Sequence, residues 1–154
     1  MTPLKLSDRV PDFSLLNQRR EPFVLKEWLG KRVLVIYFYP KDETAGCTAE
    51  ACAFRDAHEI FAEAGADVIG ISADSPESHR RFAEHRRLPF TLLSDPNNHV
   101  RRLFGVPKSI FGLIAGRVTY VVDREGVIRH VFDSQIRATR HVEEALAVVK
   151  RLRQ

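Results

Sequence analysis

The stretch Val33-Leu34-Val35-Ile36-Tyr37-Phe38-Tyr39, halted by Pro40, decides the fold. An unbroken run of apolar, β-branched and aromatic residues reads as a strand buried on both faces, as in a sheet covered by helices. Downstream, Asp67-Val68-Ile69-Gly70-Ile71-Ser72 reads as a second buried strand and Thr91-Leu92-Leu93-Ser94 as a short third. Between the first two strands, Lys41 to Gly46 is a loop. Ala49 to Ala64 then carries Phe54, Ala57, His58 and Phe61 at helical spacing and ends before Gly65. Ser75-Pro76-Glu77-Ser78 opens a second helix to about His85, with Ser as cap and Pro in the first turn.

Toward the C-terminus, His99 to Phe104 is a short helix before Gly105. Val118-Thr119-Tyr120-Val121-Val122 and Val127-Ile128-Arg129-His130-Val131-Phe132 flank Asp123-Arg124-Glu125-Gly126, a hairpin turn. Thr139 to Leu152 closes the chain as an amphipathic helix. This order predicts one α/β domain over residues 1–154, with helices flanking a central mixed sheet that is parallel at first and antiparallel later. A thioredoxin-like arrangement fits it.

The chain of 154 residues suffices for one sizeable core, and 44% hydrophobic with 29% charged residues reads as globular. No apolar run approaches the ~18 residues of a membrane span. Met1-Thr2-Pro3-Leu4-Lys5 opens without the apolar segment of a secretory signal, so a cytoplasmic location is expected. The net charge of +4 is spread among acidic residues, and Arg80-Arg81, Arg86-Arg87 and Lys150-Arg151-Leu152-Arg153 fall on helix faces or ends. Neither nucleic acid nor membrane is therefore an expected partner, although the bias favours steering of an acidic protein. Two cysteines are too few for a disulfide scaffold and leave chemistry, metal binding or packing. Cys47-x4-Cys52-x5-His58 matches no usual zinc spacing, so no metal is expected.

The segment from Tyr39 through Pro40, Thr44, Gly46 and Cys47 to Cys52 lies just beyond the end of the first buried strand, where sites of α/β sheets gather. Cys47 falls at the start of a helix, where unpaired N–H groups and the dipole favour a thiolate. Thr44 is placed to direct a hydroxyl at the sulfur or its substrate, and Pro40 to fix the loop and shield the thiolate. Arg117, between Gly116 and the Val118 strand, is the cation expected to reach back over the first strand's end. Glu50 reads equally well as a first-turn acid balancing the dipole and as a catalytic group.

The cysteine spacing carries a constraint. Residues five apart on a regular helix are separated by ~7.5 Å of rise, putting their Cα atoms ~8–9 Å apart. A disulfide tolerates only ~7 Å. If Cys47 and Cys52 share one helix, a bond between them requires its first turns to unwind.

Pro40-x-x-x-Thr44-x-x-Cys47 resembles the signature of peroxiredoxins. The run Tyr37-Phe38-Tyr39-Pro40-Lys41-Asp42, through Gly46-Cys47-Thr48, Glu50 and Cys52 to Phe54-Arg55-Asp56, is similar to the Q-type subfamily, the bacterioferritin comigratory proteins. Pro11-Asp12-Phe13, Asp74-Ser75, Gly116 to Asp123 and His141 to Leu146 extend the likeness over nearly the whole chain. The resemblance implies a thioredoxin fold, reduction of hydrogen peroxide and organic hydroperoxides, no metal or haem cofactor, and thioredoxin or a glutaredoxin-like protein as donor. It also implies that Cys47 is peroxidatic and Cys52 resolving. Thr44 and Arg117 then orient and polarise the peroxide, while Pro40 and Gly46 line its pocket. Such proteins are commonly monomers.

Two positions depart from the subfamily pattern. Ala45 stands where Pro is usual, and Gly112 to Gly116 is more apolar than in many relatives. Rival readings are a general thiol–disulfide oxidoreductase, which prefers Cys-x-x-Cys, a one-cysteine peroxidase, and a non-enzymatic module on the same fold.

For a peroxidase, ionising the thiol is insufficient. An ordinary thiol of pKa near 8.5 is only ~3% ionised at pH 7. Lowering such a pKa to ~6 gains about thirtyfold in thiolate but loses about tenfold in nucleophilicity, if the slope for disulfide exchange transfers to peroxide. The remainder must come from stabilising the charge that develops on the leaving oxygen, which requires a cation and directed donors.

Overall fold

A computed structural model describes residues 3–106, 116–134 and 137–153. Its strands are β1 (Ser14–Asn17), β2 (Pro22–Val24), β3 (Val33–Phe38), β4 (Ala66–Ser72), β5 (Thr91–Ser94), β6 (Val118–Val122) and β7 (Ile128–Asp133). The helices are α1 (Ala45–Asp56), α2 (His58–Glu63), α3 (Pro76–Arg86), α4 (His99–Phe104) and α5 (Arg140–Arg153). One sheet runs β2-β1-β5-β4-β3-β6-β7. β3 and β5 lie parallel to β4, whereas β6 is antiparallel to β3 and β7 to β6. The mixed sheet expected from the element order is therefore present.

Every residue of β3 is buried, because the strand is central and both its faces are covered. Val33, Val35 and Tyr37, with Tyr39, join Phe54, Phe61, Phe82 and Val148 in one core cluster under α1, α2, α3 and α5. Leu34, Ile36 and Phe38 join Phe13, Phe23, Phe104 and Tyr120 in a second cluster on the opposite face. Each such side chain contributes roughly 1.5–3 kcal/mol by leaving water, which makes β3 the fixed rail from which the site projects.

Local chemistry sets the ends. The Ser75 hydroxyl accepts from the Ser78 N–H and caps α3, as the Ser-Pro opening predicts. The Asp123 carboxylate accepts from the N–H groups of Glu125 and Val127, closing the β6–β7 turn. The hairpin β1–β2 has no sequence counterpart. Its turn uses Arg20 at φ 60° where glycine or asparagine would have signalled it, and its strands are only four and three residues long. The Ala49–Ala64 helix is in fact two, parted at Ala57, and begins four residues earlier at Ala45, with extended Thr44 as its cap residue. None of the described helices is long and apolar enough to cross a membrane. Of the Gly112–Gly116 connection only Gly116 is among the described residues.

Candidate active site

α1 buries Cys47, Glu50, Ala51 and Phe54, an i, i+3, i+4, i+7 stripe facing the sheet. Cys47 therefore sits in the first turn with its sulfur inward and is 1% exposed, whereas Cys52 lies off the stripe and is half-buried. Both cysteines are free and both belong to α1, so the condition for an unwinding step is met.

Arg117 immediately precedes β6. Because Phe38 pairs with Val118, Arg117 stands beside the end of β3, from which the chain runs into α1. Its Nη2 donates to Cys47 Sγ at 3.3 Å and its Nη1 to Glu50 Oε1 at 2.6 Å. Burial opposes the charge of Arg117, but Glu50 and then Cys47 overcome that and raise its pKa, so it stays protonated. Gly46 makes this approach possible. A Cβ there would stand 3.0 Å from Arg117 Nη2, in the space the guanidinium uses to reach the sulfur.

Glu50 is fully buried. Burial pushes its carboxyl up to about 8, against the pull of Arg117. Below that pH the acid is largely neutral and the Arg117 charge is directed mainly at the sulfur. Oε2 of Glu50 has no hydrogen-bond partner among the described residues and lies 3.6 Å from His141 Nδ1. His141 is held neutral. Burial lowers its pKa to about 4, the Thr119 hydroxyl donates to its Nδ1 at 2.7 Å, and its Nε2–H donates to the Ser134 carbonyl at 2.8 Å.

Glu50 has a pH signature. Its pKa is higher in the folded chain than the ordinary 4.5, so the folded state holds the proton more tightly. Stability therefore falls as pH rises from about 4.5 to about 8 and is level above that, by an amount on the order of a few kcal/mol. Glu50→Gln is expected to flatten that slope in urea unfolding at pH 5, 7 and 9. Equal slopes in the two proteins would place the titration elsewhere.

Thr44 is exposed at the rim, and its hydroxyl donates to the Lys41 carbonyl at 2.8 Å. With its proton committed, Oγ1 offers lone pairs outward as an acceptor. Pro40, half-buried, opens the same loop. Asp42 moors that loop to α3: its carboxylate accepts from the Tyr39 hydroxyl at 2.5 Å, from Ser78 Oγ at 2.9 Å and from His79 Nδ1–H at 2.7 Å. The other ring nitrogen of His79 faces the Leu93 carbonyl at 3.0 Å.

The structure thus brings Cys47, Gly46 and Arg117 into contact, with Thr44 and Pro40 on the adjoining loop and Cys52 on another side of the helix. Sequence reasoning missed His141 and Asp42, and left the duty of Glu50 open. The signal for Glu50 was its place three residues after Cys47, on the same helical face.

A buried cysteine in the first turn of a helix, met by an arginine at the end of the central strand, is an arrangement suited to thiolate chemistry. The chain belongs to the AhpC/TSA family, whose model matches residues 6–131. Within it the chain falls among the Q-type peroxiredoxins. It is 50% identical over 143 residues to the chloroplastic peroxiredoxin Q of Sedum lineare, covering 93% of this chain and 76% of that protein. Across eight plant relatives, the chain spans between 62% and 76% of their length. The crystal structure of peroxidoxin BcpB from Mycobacterium tuberculosis superposes with a TM-score of 0.90 at 37% identity, covering 98% of this chain and 99% of that one. The Xanthomonas campestris bacterioferritin comigratory protein, described in terms of its alkyl peroxide reduction activity, superposes at TM-score 0.83 with 31% identity over 92% of both chains. The thioredoxin-like fold expected from sequence is the fold of these proteins.

Proposed function

We propose that this chain reduces hydrogen peroxide and organic hydroperoxides with Cys47 as the attacking thiolate and Cys52 as the resolving thiol. The observation that carries this is the 3.3 Å hydrogen bond from Arg117 Nη2 to Cys47 Sγ, inside a buried first turn of a helix. Membership among the Q-type peroxiredoxins supports it.

In the first step the Cys47 sulfur attacks the distal oxygen of ROOH, the O–O bond breaks, and its electron pair leaves on RO⁻, which takes a proton to become ROH. Cys47 is left as the sulfenic acid. Arg117 stabilises the charge shifting from sulfur to the leaving oxygen. Thr44 Oγ1, its own proton held by Lys41, accepts the peroxide O–H and fixes its direction. Pro40 and Gly46 form the adjoining wall.

In the second step the Cys52 sulfur displaces the hydroxyl of the Cys47 sulfenic acid, which leaves as water with the thiol proton. Cα atoms ~8–9 Å apart on an intact helix do not allow the bond, so α1 unwinds to form it. An external dithiol, thioredoxin or a glutaredoxin-like protein, then exchanges with the exposed disulfide. The pair closes within one chain, which supports a monomer. Two-cysteine usage fits a reducing, cytoplasmic setting, whereas the plant relatives are named as chloroplastic.

The test is Cys52→Ser. It is expected to consume about one equivalent of peroxide and then stall as the sulfenic acid or over-oxidise, as read by mass spectrometry of Cys47. Sustained thioredoxin-linked turnover of Cys52→Ser would make this a one-cysteine enzyme.

A further inference from the structure

We infer that Arg101 is a positioning residue of the peroxide site, a buried suture that fixes where Arg117 stands relative to Cys47. The inference rests on the reading of Cys47 and Arg117 given above.

The ladder between β3 and β6 ends at the pair Phe38 and Val118. Beyond it the register would set Tyr39 opposite Arg117 and Pro40 opposite Gly116. Backbone groups along a strand point alternately to its two neighbours, and the Tyr39 N–H goes to the Ile71 carbonyl of β4. Position 40 therefore faces the β6 side, and proline has no N–H to give the Gly116 carbonyl there. The ladder stops one step short of the residues that matter.

Arg101 of α4 supplies the missing donors. Its Nη1 donates to the Gly116 carbonyl at 2.6 Å and its Nη2 to the Tyr39 carbonyl at 2.9 Å. One planar guanidinium thus ties the residue before Pro40 to the residue before Arg117 across the gap. Arg101 is itself fixed. It is buried, its guanidinium lies 5.6 Å from the Phe38 ring centre, and Asp95 accepts from the N–H groups of Val100 and Arg101.

Burial lowers the Arg101 pKa to about 10, with Asp95, Tyr120 and Cys47 acting in the opposite sense, so the group is a cation at neutral pH. A surface arginine next to Arg102 would be unremarkable in sequence. A buried one, spent on two carbonyls that flank the site, has a cost that a purely solvated charge does not incur.

A point charge cannot bridge two divergent carbonyls as the fork does, so Arg101→Lys separates charge from geometry. Arg101→Met removes the charge as well while keeping most of the volume. Two rate constants of reduced Cys47 are measured for each variant in single turnover, with hydrogen peroxide and with iodoacetamide. Alkylation needs only an accessible thiolate, whereas peroxide attack also needs Arg117 in register. Both variants are expected to lose peroxide reactivity on the order of 10²-fold, the scale of a misplacement near 1 Å. Alkylation should be unchanged in Arg101→Lys, which keeps the charge, and slowed less than peroxide attack in Arg101→Met, which takes a cation away from Cys47.

An unchanged peroxide rate in either folded variant overturns the inference. A parallel change of both rates in Arg101→Lys also overturns it and assigns Arg101 to packing alone. Should Arg101→Met fail to fold, Arg101→Lys decides by itself. Cys47→Ser under the same conditions keeps the two questions apart: if it still consumes peroxide, the underlying reading of Cys47 fails, and if it is inert, the result judges Arg101 only.

Discussion

Cys47→Ser is expected to lose peroxide turnover by on the order of 10³-fold or more, the scale seen when the nucleophile of a cooperative site is removed. The serine hydroxyl fits the same buried place and still offers Arg117 an acceptor, so the fold has no reason to change. What disappears is the reacting orbital: a hydroxyl stays protonated at neutral pH without a neighbouring base, and among the described residues no carboxylate or imidazole is hydrogen-bonded to Cys47. His141, the one histidine near the group, is held neutral with Nδ1 accepting from Thr119 and Nε2 donating to Ser134, and has no contact with the sulfur. Circular dichroism and unfolding midpoints should match those of the parent chain while peroxide persists in the assay. Normal turnover by Cys47→Ser would end the case for a thiol peroxidase centred on this residue.

The second large effect is expected from Arg117→Met. Peroxide attack should slow by about 10²–10³-fold, as when a preorganised donor to developing charge is deleted. Its stability consequence depends on pH. Removing one member of a buried ion pair costs about 3–5 kcal/mol when the other charge is stranded. Here the stranded partner is Glu50, whose carboxyl already sits near 8 because of burial, and loss of Arg117 raises it further. At pH 6 Glu50 is neutral in both proteins, and the variant should be only mildly destabilised. Above pH 8 the parent gains an ionised pair that the variant lacks, and the difference should grow. Denaturant curves at pH 6 and 9 read this directly. A penalty independent of pH would mean that Glu50 is ionised throughout, and an unchanged peroxide rate would reassign the cation.

Much of this was legible in the chain because the physics was local. The Val33–Tyr39 run reads as a buried strand and Ser75-Pro76 as a helix start, and β3 and α3 lie there. The meeting of Cys47 with Arg117, and the place of Thr44 on the adjoining loop, were readable from residue type and position relative to a strand end. What stayed hidden was nonlocal or masked by composition. The β1–β2 hairpin turns on Arg20, which carries no turn signal. Nothing in sequence separates Arg101 from Arg102, yet one is buried on the face shared with Val100 and Phe104 and the other is exposed. Asp42 and His79 lie 37 positions apart and find each other only once α3 packs on the sheet over β5. The start of α1 was misjudged because Gly46 argues against a helix, and its reason is the neighbouring guanidinium rather than the backbone.

That glycine has a second consequence. A helical glycine is less stable than alanine by roughly 0.5–1 kcal/mol, since it gives up more freedom on ordering. The loss falls in the first turn of α1, the turn that opens in the proposed disulfide step. The gap in the pocket wall that admits Arg117 is therefore also a built-in tear line. In the proposed cycle, capture of the oxidant and release of the helix draw on the same missing methyl group, so a side chain at position 46 is expected to move both.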